Sequence, residues 1–131
     1  MTGFPLLLDL RDRPVLVVGA GAVGTRRALA LAAAGARVRV VAPQPSEALT
    51  GVEIERREYR VDDLDGVWLV LACTSDPEVN AAVAAAARDR QIFCVRADDA
   101  SGGTARSFAA DTRRSRSIPM LSLCRRAVIS I

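Results

Sequence analysis

The strongest constraint in this sequence is the junction at residues 15–24. The apolar run Val15-Leu16-Val17-Val18 passes directly into Gly19-Ala20-Gly21-Ala22-Val23-Gly24, and an alanine-rich segment follows to Ala34, where Gly35 stops it. A short apolar run bounded by glycines predicts a strand buried on both faces, as in a parallel sheet. The alanine-rich segment, with Leu29 and Leu31, predicts a helix closed by a C-terminal glycine. The loop between them fits the pattern G-x-G-x-x-G. Gly19 permits the tight turn, Gly21 admits a pyrophosphate close to the backbone, and Gly24 lets helix and strand pack together. Free N–H groups at the start of the helix then face the phosphates. A glycine turn with no ligand is the plain alternative. The strand–loop–helix setting favours dinucleotide binding over it.

Beyond the loop, strand-like and helix-like segments alternate. Val38, Val40 and Val41 mark a second strand ending at Pro43, and Ser46 to Gly51 reads as a short helix or loop. Val52 to Tyr59 alternates apolar and charged residues and predicts a third strand near an edge. Asp62 to Gly66 is a turn or a single helical turn, and Val67 to Cys73 is a fourth strand. Pro77 suits the first position of the next helix, with Asp76 or Ser75 as its N-cap, and the alanines carry that helix to about Arg90. Ile92 to Val95 is a fifth strand. The alternation predicts an α/β fold: a Rossmann-like parallel sheet with helices on both faces and an irregular C-terminal tail. The expected strand order is 3-2-1-4-5, with the ligand crevice at the carboxyl ends of strands 1 and 4. The expected division is a dinucleotide-binding domain over residues 1–110, its Rossmann unit from residue 14, and a basic divergent tail over 111–131.

Composition narrows the chemistry. The chain has 131 residues, half of them hydrophobic and 4% aromatic, so one domain with a core of Val, Leu and Ala is expected. There is no histidine, which removes the usual general base, the usual zinc ligand and any Ser-His triad. Proton transfer falls to carboxylates or to substrate groups. Cys73, Cys94 and Cys124 lie far apart without metal-ligand spacing; free thiols are expected, and no metal site. Residues 1–110 carry 13 Arg against 14 acidic residues, a net of −1, whereas 111–131 carry 5 Arg against Asp111, a net of +4. The basic balance belongs to the tail, and no nucleic-acid partner is expected. No apolar run approaches the roughly 18–20 residues of a membrane span. No basic region precedes the apolar stretches of Met1 to Leu10, so no membrane partner and a cytoplasmic location are expected.

One usual element is missing. An acidic residue is expected about 20 residues past the glycine motif, to hold the ribose hydroxyls. Here the second strand ends Val41-Ala42-Pro43-Gln44, so backbone groups or Gln44 must serve. No Arg directly follows, which favours NAD over NADP. After the fourth strand, Cys73-Thr74-Ser75-Asp76 lies at the same end of the sheet. Thr74 or Ser75 is placed to hydrogen-bond the cofactor, and Ser75 or Asp76 to cap the helix; the roles are compatible. After the fifth strand, Arg96-Ala97-Asp98-Asp99 sets two carboxylates at a strand end, as candidate proton carriers. For any single Asp in a loop, the residues alone favour a turn or a solvated surface.

Several stretches together go beyond the glycine motif: Phe4-Pro5-Leu6-Leu7-Leu8-Asp9-Leu10, Pro14 to Val23, Ala34 to Val38, Val41-Ala42-Pro43, Asp63 to Val70, and Ala72-Cys73-Thr74-Ser75-Asp76-Pro77 with Val79-Asn80. Over about residues 3–108 the chain resembles precorrin-2 dehydrogenase, the N-terminal part of siroheme synthase. The first stretch corresponds to the family's lead-in strand, placed here within residues 1–13. The stretch around Thr74 resembles its A-x-T-x-D and following Asn. The missing acidic residue after strand 2 is also common in the family.

The resemblance implies NAD-dependent oxidation of precorrin-2 to sirohydrochlorin and, in many members, insertion of ferrous iron to give siroheme. It implies that Asp98, in the family's V-x-D stretch, is catalytic as proton acceptor and as an aid to metalation, with Asp99 its neighbour. It implies that Ala22, Val23, Pro43 and Gln44 line the NAD site mostly through backbone atoms, beside Gly19, Gly21, Gly24 and Thr74. The substrate is polyanionic, which makes Arg96 and Arg106 candidates to meet its carboxylates, although for each a solvated face is favoured by the residues alone. The family forms a homodimer and builds its active site partly across it.

The sequence departs from the family past Ser107-Phe108. The family continues with a Pro, a basic stretch, a strand ending in Ser-Thr-Gly-Gly-like residues and a helical dimerisation region. Here an Arg- and Ser-rich stretch runs to Ile131, with Met120 to Cys124 and Ala127 to Ile131 as two short candidate strands. It reads as a tail in a shifted frame or as a truncated product, and loss of dimerisation and of full activity is expected. A competing reading is a non-catalytic NAD-sensing or vestigial Rossmann module. The tail favours it; Asp98 and the lead-in stretch favour the enzyme.

Overall fold

The computed structural model describes residues 3–107. The strands are β1 (Pro14–Val18), β2 (Arg37–Val41), β3 (Glu53–Glu55), β4 (Leu69–Ala72) and β5 (Phe93–Arg96), all parallel, in the order β3-β2-β1-β4-β5. This is the order expected from the sequence. Helix α1 (Ala22–Ala33) joins β1 to β2, and α2 (Pro77–Asp89) joins β4 to β5. The register sets Val18 beside both Val41 and Ala72, and Ala72 beside Arg96. The carboxyl ends of β2, β1, β4 and β5 therefore finish level, and the loops leaving them share one edge of the sheet.

Alternation along each strand divides the core between two faces. On one face Val15, Val17, Val38, Val40, Leu69 and Leu71 pack with Ala28 and Leu31 of α1. On the other, Leu16, Val18, Val70 and Ala72 pack with Val83, Ala84 and Ala87 of α2. Burial on both faces is why the strands read as unbroken apolar runs. The helix ends follow local chemistry. Gly35 takes a φ of +91°, the left-handed conformation that closes α1. Asp76, rather than Ser75, caps α2: its side chain accepts the Glu78 N–H at 2.9 Å, with Pro77 in the first helical position. Such a cap contributes about 1 kcal/mol.

Two expectations need correction, and one open choice is decided. The third strand covers only Glu53–Glu55, not Val52 to Tyr59. Beyond it Arg57 turns inward to Asp63, and Val61–Leu64 forms one 3₁₀ turn. The buried Asp63 carboxylate accepts from Arg57 at 2.6 and 2.9 Å, from Arg39 of β2 at 3.2 Å and from the Arg60 N–H at 2.8 Å. Those bonds, not sheet pairing, set the path of this segment. Ser46 to Gly51, open between a short helix and a loop, is a loop. The lead-in segment Phe4 to Leu10 is not a strand. The Asp9 carboxylate takes the Arg11 N–H at 3.1 Å and the Arg11 guanidinium at 2.7 Å, and Asp12 then turns at a φ of +61°. Leu10 is buried in the α1-side core with Leu8 against it, while Phe4, Leu6 and Leu7 are exposed. The tail over 111–131, its two candidate strands and Cys124 lie outside the described residues.

Candidate dinucleotide site and adjoining crevice

The three motif glycines do different work. Gly19 has a φ of +96° and donates its N–H to the Val41 carbonyl at 2.9 Å; a Cβ there would stand 2.7 Å from the Cys73 carbonyl oxygen. A Cβ on Gly24 would fall on the Gly19 carbonyl oxygen and lie 3.3 Å from the Cys73 Cβ. These two glycines thus let the end of β1, the start of α1 and the end of β4 touch. Gly21 differs. Its φ of −74° suits any residue, and a Cβ there would meet nothing within 4 Å. Its missing side chain leaves open space in front of the helix.

That space faces a helix end prepared for an anion. Gly21 is the N-cap of α1, with no side-chain cap and no acidic residue in the first turn. The Thr25 N–H bonds the Gly21 carbonyl at 2.9 Å, and the Thr25 hydroxyl braces the Ala20 carbonyl at 3.2 Å. The N–H groups ahead of Thr25, on Ala22, Val23 and Gly24, point out at the positive end of the helix dipole. Ala22 and Val23 are exposed. An uncapped donor array behind an open cradle fits a pyrophosphate. Beside it, Pro43 and Gln44 are exposed at the end of β2, where the Ala42 N–H bonds the Glu55 carbonyl at 3.0 Å.

The loop after β4 is fixed by Asn80, a residue fully buried in the first turn of α2. Its Oδ1 accepts the Thr74 N–H at 3.1 Å and the Thr74 hydroxyl at 2.7 Å, and its Nδ2 donates to the Thr74 carbonyl at 3.0 Å. The Thr74 hydroxyl also accepts the Asp76 N–H at 3.2 Å. Its hydrogen-bonding capacity is thus engaged inside the loop, so the direct hydroxyl contact expected for Thr74 competes with Asn80. The sequence showed Asn80 only as part of a motif. Its place on the buried face of α2, with Val83, Ala84 and Ala87, was the available signal. Cys73, next to Thr74, is a free thiol pushed up to about 11 by burial, and Cys94 is pushed up to about 11 for the same reason. Both stay protonated at neutral pH and are poor nucleophiles.

Asp98 sits just past β5, at the same edge. Arg96 grips it side-on, Nε to Oδ1 at 3.1 Å and Nη2 to Oδ2 at 2.8 Å. Arg96 is the main reason the Asp98 carboxyl lies below its ordinary value; desolvation opposes it, and the Asn80 amide adds a smaller stabilisation. Arg96 is therefore engaged within the chain rather than held out towards a substrate carboxylate. Arg106 is exposed. Asp99 turns away to cap the 3₁₀ turn Ala100–Gly102, accepting the Ser101 N–H at 3.0 Å and the Ser101 hydroxyl at 2.6 Å. The two adjacent carboxylates thus have separate roles. Among the described residues no cluster of His, Cys, Asp or Glu could hold a metal ion. A depression of about 410 Å³ lined by Asp9, Arg11, Asp12, Arg13 and Trp68 lies at the amino ends of the strands, away from the glycine loop.

A family model for NAD(P)-binding domains matches residues 6–107. The chain belongs to this NAD(P)-binding family. The dinucleotide expected at the glycine loop is the ligand class of the family. The chain is similar to Siroheme synthase 1 of Pectobacterium atrosepticum, with 43% identity over 105 residues, covering 76% of this chain and 22% of that protein. Siroheme synthase of Ectopseudomonas mendocina is 45% identical over 96 residues, covering 70% of this chain and 21% of that protein. The solved structure of SirC, precorrin-2 dehydrogenase, superimposes with a TM-score of 0.64 at 30% identity, covering 74% of this chain and 50% of that one. The chain thus spans about a fifth of the length of these curated relatives. No helix among the described residues is long and apolar enough to cross a membrane.

Proposed function

We propose that this domain binds NAD and oxidises precorrin-2 to sirohydrochlorin in siroheme synthesis. The observation that carries the reading is the juxtaposition, on one sheet edge, of the uncapped glycine loop and the Asp98 carboxylate. The similarity to siroheme synthases and to SirC supports the substrate. The N–H groups of Ala22, Val23 and Gly24 hold the pyrophosphate, and Gly19, Gly21 and Gly24 shape its floor. Pro43 and Gln44 line the ribose side, where the absence of an acidic side chain leaves the backbone to make the contacts. Thr74 lines the β4 side, presented by Asn80. NAD, when bound, supplies the hydride acceptor.

The oxidation removes two hydrogens from the macrocycle, one as hydride and one as a proton. Asp98 takes the proton. The chain has no histidine to do so. A carboxylate held below its ordinary pKa is a weak base, but it is ionised across the physiological range, and loss of hydride makes the remaining proton more acidic. We extend the proposal to ferrous iron as a second substrate at the same carboxylate, and to loss of the family's pairing and of full activity, because the stretch past Ser107-Phe108 does not resemble the family's dimerisation region. Light scattering tests the pairing.

The decisive experiment incubates the chain with precorrin-2 and NAD and follows NADH. NADH formation that is lost in Asp98→Asn, with NAD binding kept, is expected. NADH formation that survives the substitution removes Asp98 from the mechanism. NAD binding without turnover supports the second reading, a non-catalytic NAD-sensing module, which is favoured by the engagement of both Asp98 oxygens with Arg96.

A further inference from the structure

Arg96 and Asp98, which the sequence offered for separate tasks, form one unit. We propose that Arg96 is a positioning residue: it fixes the Asp98 carboxylate at the carboxyl edge of the sheet and does not itself bind substrate. The inference rests on the assignment of proton transfer to Asp98.

Arg96 ends β5, and the chain bends at Ala97 and Asp98, which carries the carboxylate back to the guanidinium. The intervening peptide is pinned to the sheet, the Ala97 N–H bonding the Ala72 carbonyl at 3.0 Å. The guanidinium meets both carboxylate oxygens, which sets the orientation of the carboxylate as well as its charge.

Arg96 is itself seated. Its side chain is 13% exposed, against 28% for Asp98. A Cβ on Gly102 would stand 2.6 Å from Arg96 Nη1 and 2.9 Å from its Cδ, so the bare backbone at Gly102 makes room for the guanidinium. The loop carrying Gly102 is tied back onto β5. The Thr104 and Ala105 N–H groups bond the Cys94 carbonyl at 2.9 and 3.0 Å, and the Cys94 N–H bonds the Thr104 hydroxyl at 2.9 Å. Asp99 holds the intervening turn through Ser101. The segment after β5 therefore forms a clasp around one arginine.

The groups bearing on Asp98 come from several elements. Arg96 belongs to β5, the Asn80 amide to α2, and the Cys73 thiol to the end of β4. Arg27 of α1 faces Cys73, and Asp99 acts on Arg96. Among these, Arg96 is the cation in direct hydrogen-bonding contact with Asp98. With Asn80 neutral and Cys73 protonated, Arg96 sets the direction of the carboxylate and is the main cause of its lowered pKa.

The test is a carboxyl-carbon NMR titration of the full chain labelled at aspartate, with the Asp98 signal identified by its loss in Asp98→Asn. In Arg96→Met the Asp98 midpoint is expected to rise, while Asp99, held by Ser101, moves less. Arg96→Lys recovers part of the shift, because an ammonium is a point donor without a fork. Gly102→Ala crowds the guanidinium without removing it, and shifts the midpoint in the same direction. In turnover, the acid limb of kcat/KM moves with the midpoint while KM for precorrin-2 holds. An Asp98 midpoint unmoved in both Arg96→Met and Gly102→Ala overturns the clasp, and so does a raised KM with an unmoved pH profile. A moved midpoint in a chain that never forms NADH overturns the proton-transfer assignment instead and leaves the clasp standing.

Discussion

Asp63→Asn is expected to destabilise the domain by about 2–3 kcal/mol at neutral pH, and by much less in acid. The carboxylate is buried, with a side chain 4% exposed, between two arginines and a backbone N–H. Arg57 is the main cause of its depression from 3.8 to about 2, with burial opposing and Arg60 and Arg39 assisting. A shift of that size is worth about 2.5 kcal/mol of linkage. Because the folded value is the lower one, this stability is present above 3.8 and is lost as pH falls from 3.8 towards 2. Asn keeps the shape but removes the charge and sets an amide donor against guanidinium donors. Arg39 and Arg57 are 26% and 27% exposed, so water recovers part of their loss and keeps the cost below that of a fully buried pair. Thermal unfolding at neutral pH is expected about 10–20 °C lower. Urea titrations of both proteins, repeated from neutral pH down to about pH 3, check the sign, since the gap between them narrows below about pH 4. A gap that stays constant over that range, or one under about 0.5 kcal/mol at neutral pH, refutes the reasoning.

Gly21→Ala and Gly24→Ala separate binding from packing. The first meets no neighbour and lowers NAD affinity at unchanged melting temperature; the second meets the Gly19 carbonyl and lowers both, as calorimetry and thermal unfolding would report. Asn80→Ala leaves the Thr74 peptide without its partners and is expected to cost about 1–3 kcal/mol in urea denaturation, with weaker NAD binding from a loosened loop. Cys73 and Cys94 are expected to react with a thiol reagent at mildly alkaline pH far more slowly than free cysteine, and at the ordinary rate once urea unfolds the chain. Rapid modification of Cys73 or Cys94 in the folded protein, located by peptide mapping, would contradict the burial that raises them.

The parts of this fold carried by local pattern were legible in the sequence. Val15 to Val18, Val67 to Cys73 and the glycine loop determine where strands end and helices start, and the strand order follows from their alternation. The parts set by contacts between distant residues were not. Arg39 and Asp63 meet across β2 and the 3₁₀ turn, and nothing local to Glu55 or Tyr59 announces that the third strand must stop for them. The lead-in stretch is apolar enough for a strand, but the Asp9–Arg11 contact and the turn at Asp12 decide its course. At the site, the glycines could be ranked by role before the fold was known. The engagement of Thr74 could not, because the spacing of Asn80 with Val83, Ala84 and Ala87 signals its burial but not what it bonds. The Arg96–Asp98 pair was within reach only in part: opposite charges two apart are neighbours in the chain, but the bend at Ala97 and Asp98 that joins them has no local pattern.

The contact among Gly19, Gly24 and Cys73 makes positions far apart in the chain a single component. The size allowed at position 73 is set by the emptiness at 24. A bulkier residue at the end of β4 would press on the glycine loop before it touched any ligand. Variation in the second half of the sheet is thus screened by the nucleotide site of the first, and a chain that keeps a small residue at 73 has kept the floor of that site as well.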